Sequence, residues 1–197
     1  MNLRSRILLL VAVLALIGAG TMILRLREPS KVSPPSAPPP REALLKELER
    51  RDGRLFAQGE SNAFTGLVLE RYDAGSVRSR SEMQEGVLHG ISEGWYTNGV
   101  LQIQEHFTNG VSHGLRRKYH ENGSLQSEGT VAGGRMEGTF RRWHTNGALA
   151  EEIPMVAGEA HGEARSFHPD GSPKARALID HGKLVERKDL SPSNPAP

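Results

Sequence analysis

Apolar and polar positions recur along this chain with a period of 24 residues. From residue 66 to residue 185, five copies of one unit follow each other without a gap. Three glycine positions are kept in every copy, at Gly66, Gly90, Gly114, Gly138 and Gly162, at Gly75, Gly99, Gly123, Gly147 and Gly171, and at Gly86, Gly110, Gly134, Gly158 and Gly182. A fixed period in this range predicts a repeat architecture.

Each unit predicts a β-hairpin, because an Asn or Asp precedes the middle glycine between short apolar runs. These residues are Asn98, Asn122, Asn146 and Asp170. Either a two-residue type I′ loop or a type I turn followed by a left-handed glycine is possible. Pro169 favours the second, since proline suits the first central position of a type I turn and would remove a donor from a flanking strand. We therefore expect positive φ at Gly99, Gly123, Gly147 and Gly171.

The turn type predicts which apolar positions share a face. The aromatic column is Trp95, Tyr119, Trp143 and Phe167; the leucine column is Val77, Leu101, Leu125 and Leu149; the third column is Met83, Phe107, Val131, Met155 and Ile179. With a three-residue loop, the side chains of the first two columns lie on the same face of the sheet. Even spacing along the strand places the third column on that face as well. This face is either the core of the array alone or a core that also offers a partner surface, because one sheet cannot bury it fully.

The units together predict an all-β fold with one elongated antiparallel meander sheet. We expect about eleven or twelve strands over residues 54–187, without an α-helix. Arg71 and Pro173 interrupt the aromatic and leucine columns in the end copies, as is typical of capping repeats.

The N-terminal segments predict attachment to a membrane. Residues 7–24 are uncharged and largely apolar, so residues 1–28 form either a single-pass anchor or a signal peptide cleaved near Gly18-Ala19-Gly20, which would give a secreted protein. Either places the repeats on the extracytoplasmic side if the N-terminus stays in the cytoplasm. Residues 29–40 predict an extended proline-rich linker.

Shorter segments flank the repeats. The spacing of Leu44, Leu45 and Leu48 predicts a short amphipathic helix over residues 41–51. Residues 52–65 resemble a shortened half-repeat that starts the sheet. The polar, proline-containing residues 188–197 predict a disordered tail.

Charge and composition exclude some classes of ligand. The chain has a net charge of +2, but residues 1–31 hold five basic and one acidic side chain, which leaves 20 basic and 22 acidic side chains elsewhere. The repeats are therefore not basic, and we expect no nucleic-acid partner. The chain has no cysteine and hence no thiolate metal site.

Candidate chemistry is sparse. His120, His144 and His168 form a column, but equivalent residues of successive hairpins lie two strands or about 9.5 Å apart, too far for one metal ion. No catalytic constellation appears, so we expect no enzymatic activity, cofactor, metal or small-molecule substrate. The basic column is either a strip of anion contacts or a row of cross-strand pairs, and comprises Arg117, Arg141 and Arg165.

The repeated motifs resemble the MORN-repeat variant family, many of whose bacterial members are labelled antitoxins. The resemblance rests on Trp95-Tyr96-x-Asn98-Gly99-x-Leu101, on Glu105-x-Phe107-x-x-Gly110 and on the period, over about residues 52–185. It implies a ribbon of β-hairpins and a binding scaffold. We therefore expect a membrane-tethered scaffold for protein–protein interaction; the alternative is a structural protein that lies on a membrane or a cell-wall polymer.

Overall fold

The computed structural model describes residues 40–190. The predictions for residues 1–28, for most of the linker and for the last residues of the tail fall outside this range. The strands are β1 (Glu42–Leu44), β2 (Leu48–Arg51), β3 (Arg54–Ala57), β4 (Gly66–Arg71), β5 (Val77–Gln84), β6 (Val87–Trp95), β7 (Leu101–Thr108), β8 (Val111–Ser112), β9 (Gly114–Tyr119), β10 (Leu125–Ala132), β11 (Arg135–Trp143), β12 (Leu149–Val156), β13 (Glu159–Ala160), β14 (Gly162–Phe167), β15 (Pro173–Asp180) and β16 (Lys183–Asp189).

The predicted meander is confirmed. Within residues 40–190, fourteen strands form one sheet, and the order from β4 to β16 follows the chain, with each strand antiparallel to the next. The short strands β8 and β13 extend the second turns of two units, where they pair with β7 and β12. Residues 54–187 contain no α-helix, and among residues 40–190 no helix has the length and apolar character needed to cross a membrane.

The first turn of each unit has the three-residue geometry. The amide of Gly99 donates to the carbonyl of Tyr96, and the amide of Tyr96 donates to the carbonyl of Val100, both at 2.9 Å. The same pair of bonds recurs in every unit. Gly99, Gly123, Gly147 and Gly171 have φ between +83° and +85°, whereas the Asn and Asp residues before them are not among the residues with positive φ. A type I′ turn would need positive φ at both positions.

A β-bulge corrects the predicted face. Trp95 pairs with Leu101, but its neighbour Gly94 pairs with Ile103, so Gln102 is an extra residue on β7. The equivalent shift occurs in all five units. Beyond the bulge the alternation of side chains changes phase, so Phe107 and the rest of the third column lie on the opposite face from the aromatic and leucine columns. The predicted shared face of Trp95, Leu101 and Phe107 was therefore wrong.

The expected helix over residues 41–51 was also wrong. This segment forms β1, a single 3-10 turn over Leu45–Glu47, and β2. β1 lies parallel to β4, with Glu42 beside Leu67 and Leu44 beside Leu69. The edge of β4 offers backbone partners to β1, whereas a short isolated helix is marginal in water.

Residues 52–65 do not start the sheet, contrary to expectation. β3 pairs with β2 in a separate two-stranded sheet, and Leu55 and Phe64 pack against Val68 and Met83. One feature of a repeat is nevertheless kept here. The Gly86 amide donates to the carbonyl of Phe64, 22 residues before it, as the equivalent glycines do in later units.

The core lies on the face of the sheet opposite the aromatic and leucine columns. Five buried apolar residues of the sheet occupy it, namely Val68, Met83, Val131, Ala164 and Ala175. At the C-terminal end, β16 includes Lys188 and Asp189, so the sheet extends into the segment predicted as a disordered tail.

Candidate functional site

The face that carries the aromatic and leucine columns, which we call the aromatic face, is the candidate functional site. Cross-strand pairing joins each aromatic residue to the leucine column: Trp95 to Leu101, Tyr119 to Leu125 and Trp143 to Leu149. In the last unit, Phe167 pairs with Pro173. The result is an apolar stripe that runs across the strands beside the first turns, over roughly 29 Å from β6 to β14 at about 4.8 Å per strand.

The stripe is accessible along its length. All seven aromatic and leucine residues from Trp95 to Phe167 are half-buried, and none belongs to the buried core. Phe64, in contrast, is 1% exposed on the other side of the sheet. The apolar residues of the aromatic face thus lie beside each other in the sheet but still present surface to the outside.

A row of charged side chains runs beside the stripe on the same face. Arg117 donates to Glu128 at 2.8 Å, and Arg141 donates to Glu152 at 2.9 Å. Nearer the N-terminus, Arg80 pairs with Glu93 at 2.8 Å. These are directly opposed residues of neighbouring strands, and partly exposed pairs of this kind contribute little to stability but fix the charge pattern.

The arginines of the predicted anion strip lie in or beside this row. Arg117 and Arg141 face carboxylates across the strand pair, which is the alternative reading of the basic column. Arg165 instead bonds Glu163 on its own strand at 2.9 Å and, together with Arg176, holds the pKa of the Glu163 carboxyl below its ordinary value. Sequence reasoning missed the acidic partners because it treated the arginine column in isolation, although Glu128 and Glu152 are also 24 residues apart.

Side-chain bonds between successive units occupy the edge beside the stripe. The hydroxyls of Tyr72 and Tyr96 donate to the carbonyls of Trp95 and Tyr119, each 23 residues ahead. His120 and His144 take this role in later units, where Nε2 lies 3.0 Å from the carbonyl 23 residues ahead. A carbonyl only accepts, so Nε2 carries the proton in both rings. His120 and His144 of the histidine column therefore have a structural use.

The turn asparagines form a second series of bonds. Asn98, Asn122 and Asn146 donate from Nδ2 to the carbonyl 23 residues ahead, at 2.6–3.1 Å. Their Oδ1 atoms accept the amide two residues later within the same turn. Asp170 keeps only the acceptor function, which suits its place in the final unit of the array. Its bonds to Ser172 hold the pKa of the Asp170 carboxyl below the usual range. The predicted turn residues thus connect successive hairpins as well as shaping their own turns.

The array has a recognisable relative among protein families. A family model described as MORN repeat variant matches residues 88–109, 112–132, 136–157 and 160–186. The chain belongs to the MORN repeat variant family. The matched copies lie within the run of hairpins that carries the aromatic face. Residues 66–87 of the first copy, with Arg71 and Ala74 at motif positions, fall outside the matched segments.

Comparisons beyond the family are distant. No curated protein sequence matches the chain. Among solved structures, a mutant of S. aureus TarM in complex with Fondaparinux, alpha-GlcNAc-glycerol and UDP resembles 48% of this chain at 8% identity, with a TM-score of 0.33. This chain covers 19% of that protein, and the likeness carries no functional argument.

Proposed function

We propose that this MORN repeat variant protein is a non-catalytic scaffold that is tethered to a membrane through residues 7–24 and binds a protein partner on its aromatic face. The observation that carries the proposal is the continuous, half-buried stripe of aromatic and leucine side chains on one side of the sheet. Aromatic residues that a partner buries fully are among those that supply most of the binding energy in many protein interfaces.

The charge pattern favours a protein partner over a lipid surface. Beside the stripe, Glu93, Glu128 and Glu152 alternate with arginines in ion pairs. Anionic lipid would attract the arginines but repel the carboxylates, whereas a protein can oppose each charge with its complement. A polar row next to an apolar stripe also matches the rim and core of a protein interface.

The repeated polar residues support a structural use of the array. The turn asparagines, His120 and His144 bond the neighbouring unit, and the arginines bond carboxylates. These repeated positions are therefore engaged in holding the sheet together. This supports binding by a surface rather than catalysis at one place.

The interaction is tested with a matched pair of substitutions on β11. Trp143 and Phe140 are both half-buried aromatic residues, but they lie on opposite faces of the sheet. Full-length protein carrying Trp143→Ala or Phe140→Ala is isolated from its native membranes under mild conditions, and the associated proteins are quantified. We expect a specific partner to be lost with Trp143→Ala and retained with Phe140→Ala.

Two results would contradict the interaction. One is equal recovery of every associated protein with both variants. The other is the absence of any stoichiometric protein partner together with Trp143-dependent binding of full-length protein to added vesicles, which would favour the lipid-associated alternative.

The tether is tested separately. The full chain and a chain that lacks residues 7–24 are expressed in parallel, and membranes are washed at alkaline pH. We expect the full chain to stay in the membrane pellet and the shortened chain to be released. Release of both, or secretion of a full chain shortened near residue 20, would rule out the tether and leave the aromatic-face proposal standing.

A further inference from the structure

The last unit brings two histidines and one aspartate together at its second turn. His161 precedes β14, Asp180 ends β15, and His181 lies in the turn before β16. Oδ1 of Asp180 is 3.2 Å from Nδ1 of His161 and 2.6 Å from Nδ1 of His181. The two imidazole rings have centroids 4.7 Å apart.

The backbone of the repeat places these side chains side by side. In earlier units, the residue at the position of His161 also contacts the residue 20 positions later. His89 lies 3.3 Å from Asn109, and Glu137 accepts the amide of Ala157 at 2.8 Å. Within the residues that the structure describes, the last unit is where both positions are histidine and an aspartate adjoins them.

We propose that His161, Asp180 and His181 bind a divalent transition metal ion of the zinc type. Two imidazole nitrogens and one carboxylate oxygen are a donor set suited to zinc and its neighbours, and imidazole disfavours magnesium or calcium. The three ligand atoms lie within 4.8 Å of one another. Two ligands of one zinc ion lie at most about 4 Å apart, so binding needs a contraction of about 1 Å.

The side chains have the freedom to make that contraction. Their exposed fractions are 45% for His161, 61% for Asp180 and 72% for His181. Nδ1 of His181 donates a hydrogen bond to Oδ1 of Asp180, and Nδ1 of His161 lies 3.2 Å from the same oxygen. A metal ion bound at Nδ1 of His181 would replace the proton of that hydrogen bond. Three protein ligands leave a fourth position open to water or to a donor from another molecule.

The spacing argument against a metal site, made from the sequence, does not apply to these three residues. That argument compared equivalent residues of successive units, which lie two strands apart. His161 and His181 are different positions of one unit, and the turn between β15 and β16 brings His181 to the start of β14. The site also lies away from the stripe of Trp95, Trp143 and Phe167, so it stands independently of the proposed partner surface.

Zinc titration of the full chain in detergent micelles, without a histidine tag, tests the site. We expect one Zn²⁺ ion per chain in competition with a chromophoric chelator. Asp180→Asn and His181→Asn should each weaken binding by about 100-fold, since even residues that only orient metal ligands contribute 10–100-fold. Zinc should also raise the melting temperature of the wild type more than that of either variant.

The variants preserve the fold by design. His181 has φ +46°, and Asn109 occupies the equivalent turn position with φ +50°, so asparagine suits the backbone at residue 181. His89→Ala is the control, because it removes the histidine equivalent to His161 from a unit without the second histidine, and it should leave zinc affinity unchanged. Absence of stoichiometric zinc binding by the wild type, undiminished binding by His181→Asn, or an equal loss with His89→Ala would each overturn the proposal.

Discussion

The turn asparagines show how one side chain can serve two levels of structure. Oδ1 of Asn122 accepts the amide and the hydroxyl of Ser124, which shapes its own turn. Its Nδ2 donates to the carbonyl of Thr145 in the next hairpin at 2.9 Å. An intramolecular hydrogen bond contributes about 1 kcal/mol net, so the value of each asparagine lies in its repetition along the array.

The glycine of the same turn yields a residue-scale prediction. Gly123 has φ +84°, and an added Cβ would meet only a side-chain methyl of Val100 at 3.9 Å. The cost of Gly123→Val therefore comes from the backbone, and it should exceed the 1–2 kcal/mol or so that left-handed geometry costs an ordinary residue. Glu121→Pro should be nearly neutral, because Pro169 occupies the equivalent place. Urea unfolding of both variants measures the difference, and equal destabilisation would contradict the turn assignment.

At the scale of elements, the bulge in the second strand of each hairpin decides which side chains share a face. The extra residue at Gln102 moves Phe107 to the opposite face from Leu101. Met83 and Val131, at the same position in other units, are buried there, with 8% and 4% exposure. The array thus places its core on one face and keeps the aromatic stripe available on the other.

The hairpin of β2 and β3 covers that core at its N-terminal end. Phe64 is 1% exposed and belongs to one cluster with Leu55, Val68 and Met83. The cluster joins the two-stranded sheet to the face of β4 and β5. The hairpin of β2 and β3 therefore acts as a cap over the core face of the array, which lies opposite the aromatic face.

Phe64→Ala provides the element-scale prediction. Removal of a fully buried phenylalanine side chain costs about 3–5 kcal/mol, and the loss should be felt first in the strands it covers. Relative to the wild type, we expect the variant to show a larger increase in amide exchange rate in β4 and β5 than in β14 and β15. Phe140→Ala is the control, because Phe140 is half-buried and lies farther along the array. An equal loss of stability in both variants, or unchanged exchange in β4 and β5, would argue against a capping role.

Sequence patterns predict some of these elements better than others. The period, the Asn-Gly turns and Pro169 are local signals, so they predict the meander and its turn geometry. The bulge at Gln102 has no local signal, since glutamine suits a regular strand equally well, and the third column was therefore placed on the wrong face. The helical spacing of Leu44, Leu45 and Leu48 was overridden because the edge of β4 offers backbone partners. The cluster at Asp180 joins different positions of one unit, which a comparison of equivalent positions does not reveal.

On the scale of the whole molecule, the array is close to one-dimensional. Successive units bond each other through repeated contacts: a Tyr or His side chain bonds a carbonyl 23 residues ahead, and a glycine amide bonds a carbonyl 22 residues behind. In the units that begin at Gly90, Gly114 and Gly138, an Asn side chain bonds a second carbonyl 23 residues ahead. Stability in such an array is approximately a sum of units and nearest-neighbour interfaces. Removing a whole unit should therefore shorten the sheet without changing its pattern.

Deletion of residues 114–137 tests this property. The deletion removes 24 residues and joins His113 to Gly138, so the units that begin at Gly90 and Gly138 become neighbours. The carbonyl of Trp143 then lies 23 residues after Tyr96, where its hydroxyl can bond it as it bonds the carbonyl of Tyr119 in the full chain. Asn98 likewise finds the carbonyl of Thr145, which Asn122 bonds in the full chain. We expect a β-sheet circular dichroism spectrum and one cooperative melt at a lower temperature than the wild type.

Deletion of residues 114–125 is the matched control. Removing half a unit would place the second turn at Gly133 and Gly134 at the edge of the sheet where Asn98 and Tyr96 bond the first turn of the next unit. Neither side chain would then bond its usual carbonyl. Beyond the junction, first and second turns would lie at exchanged edges of the sheet. We expect this chain to lose its cooperative melt or to aggregate. If the two deletions fold equally well, the contacts between units do not set the register of the array; if both fail to fold, the units are not interchangeable parts of the sheet.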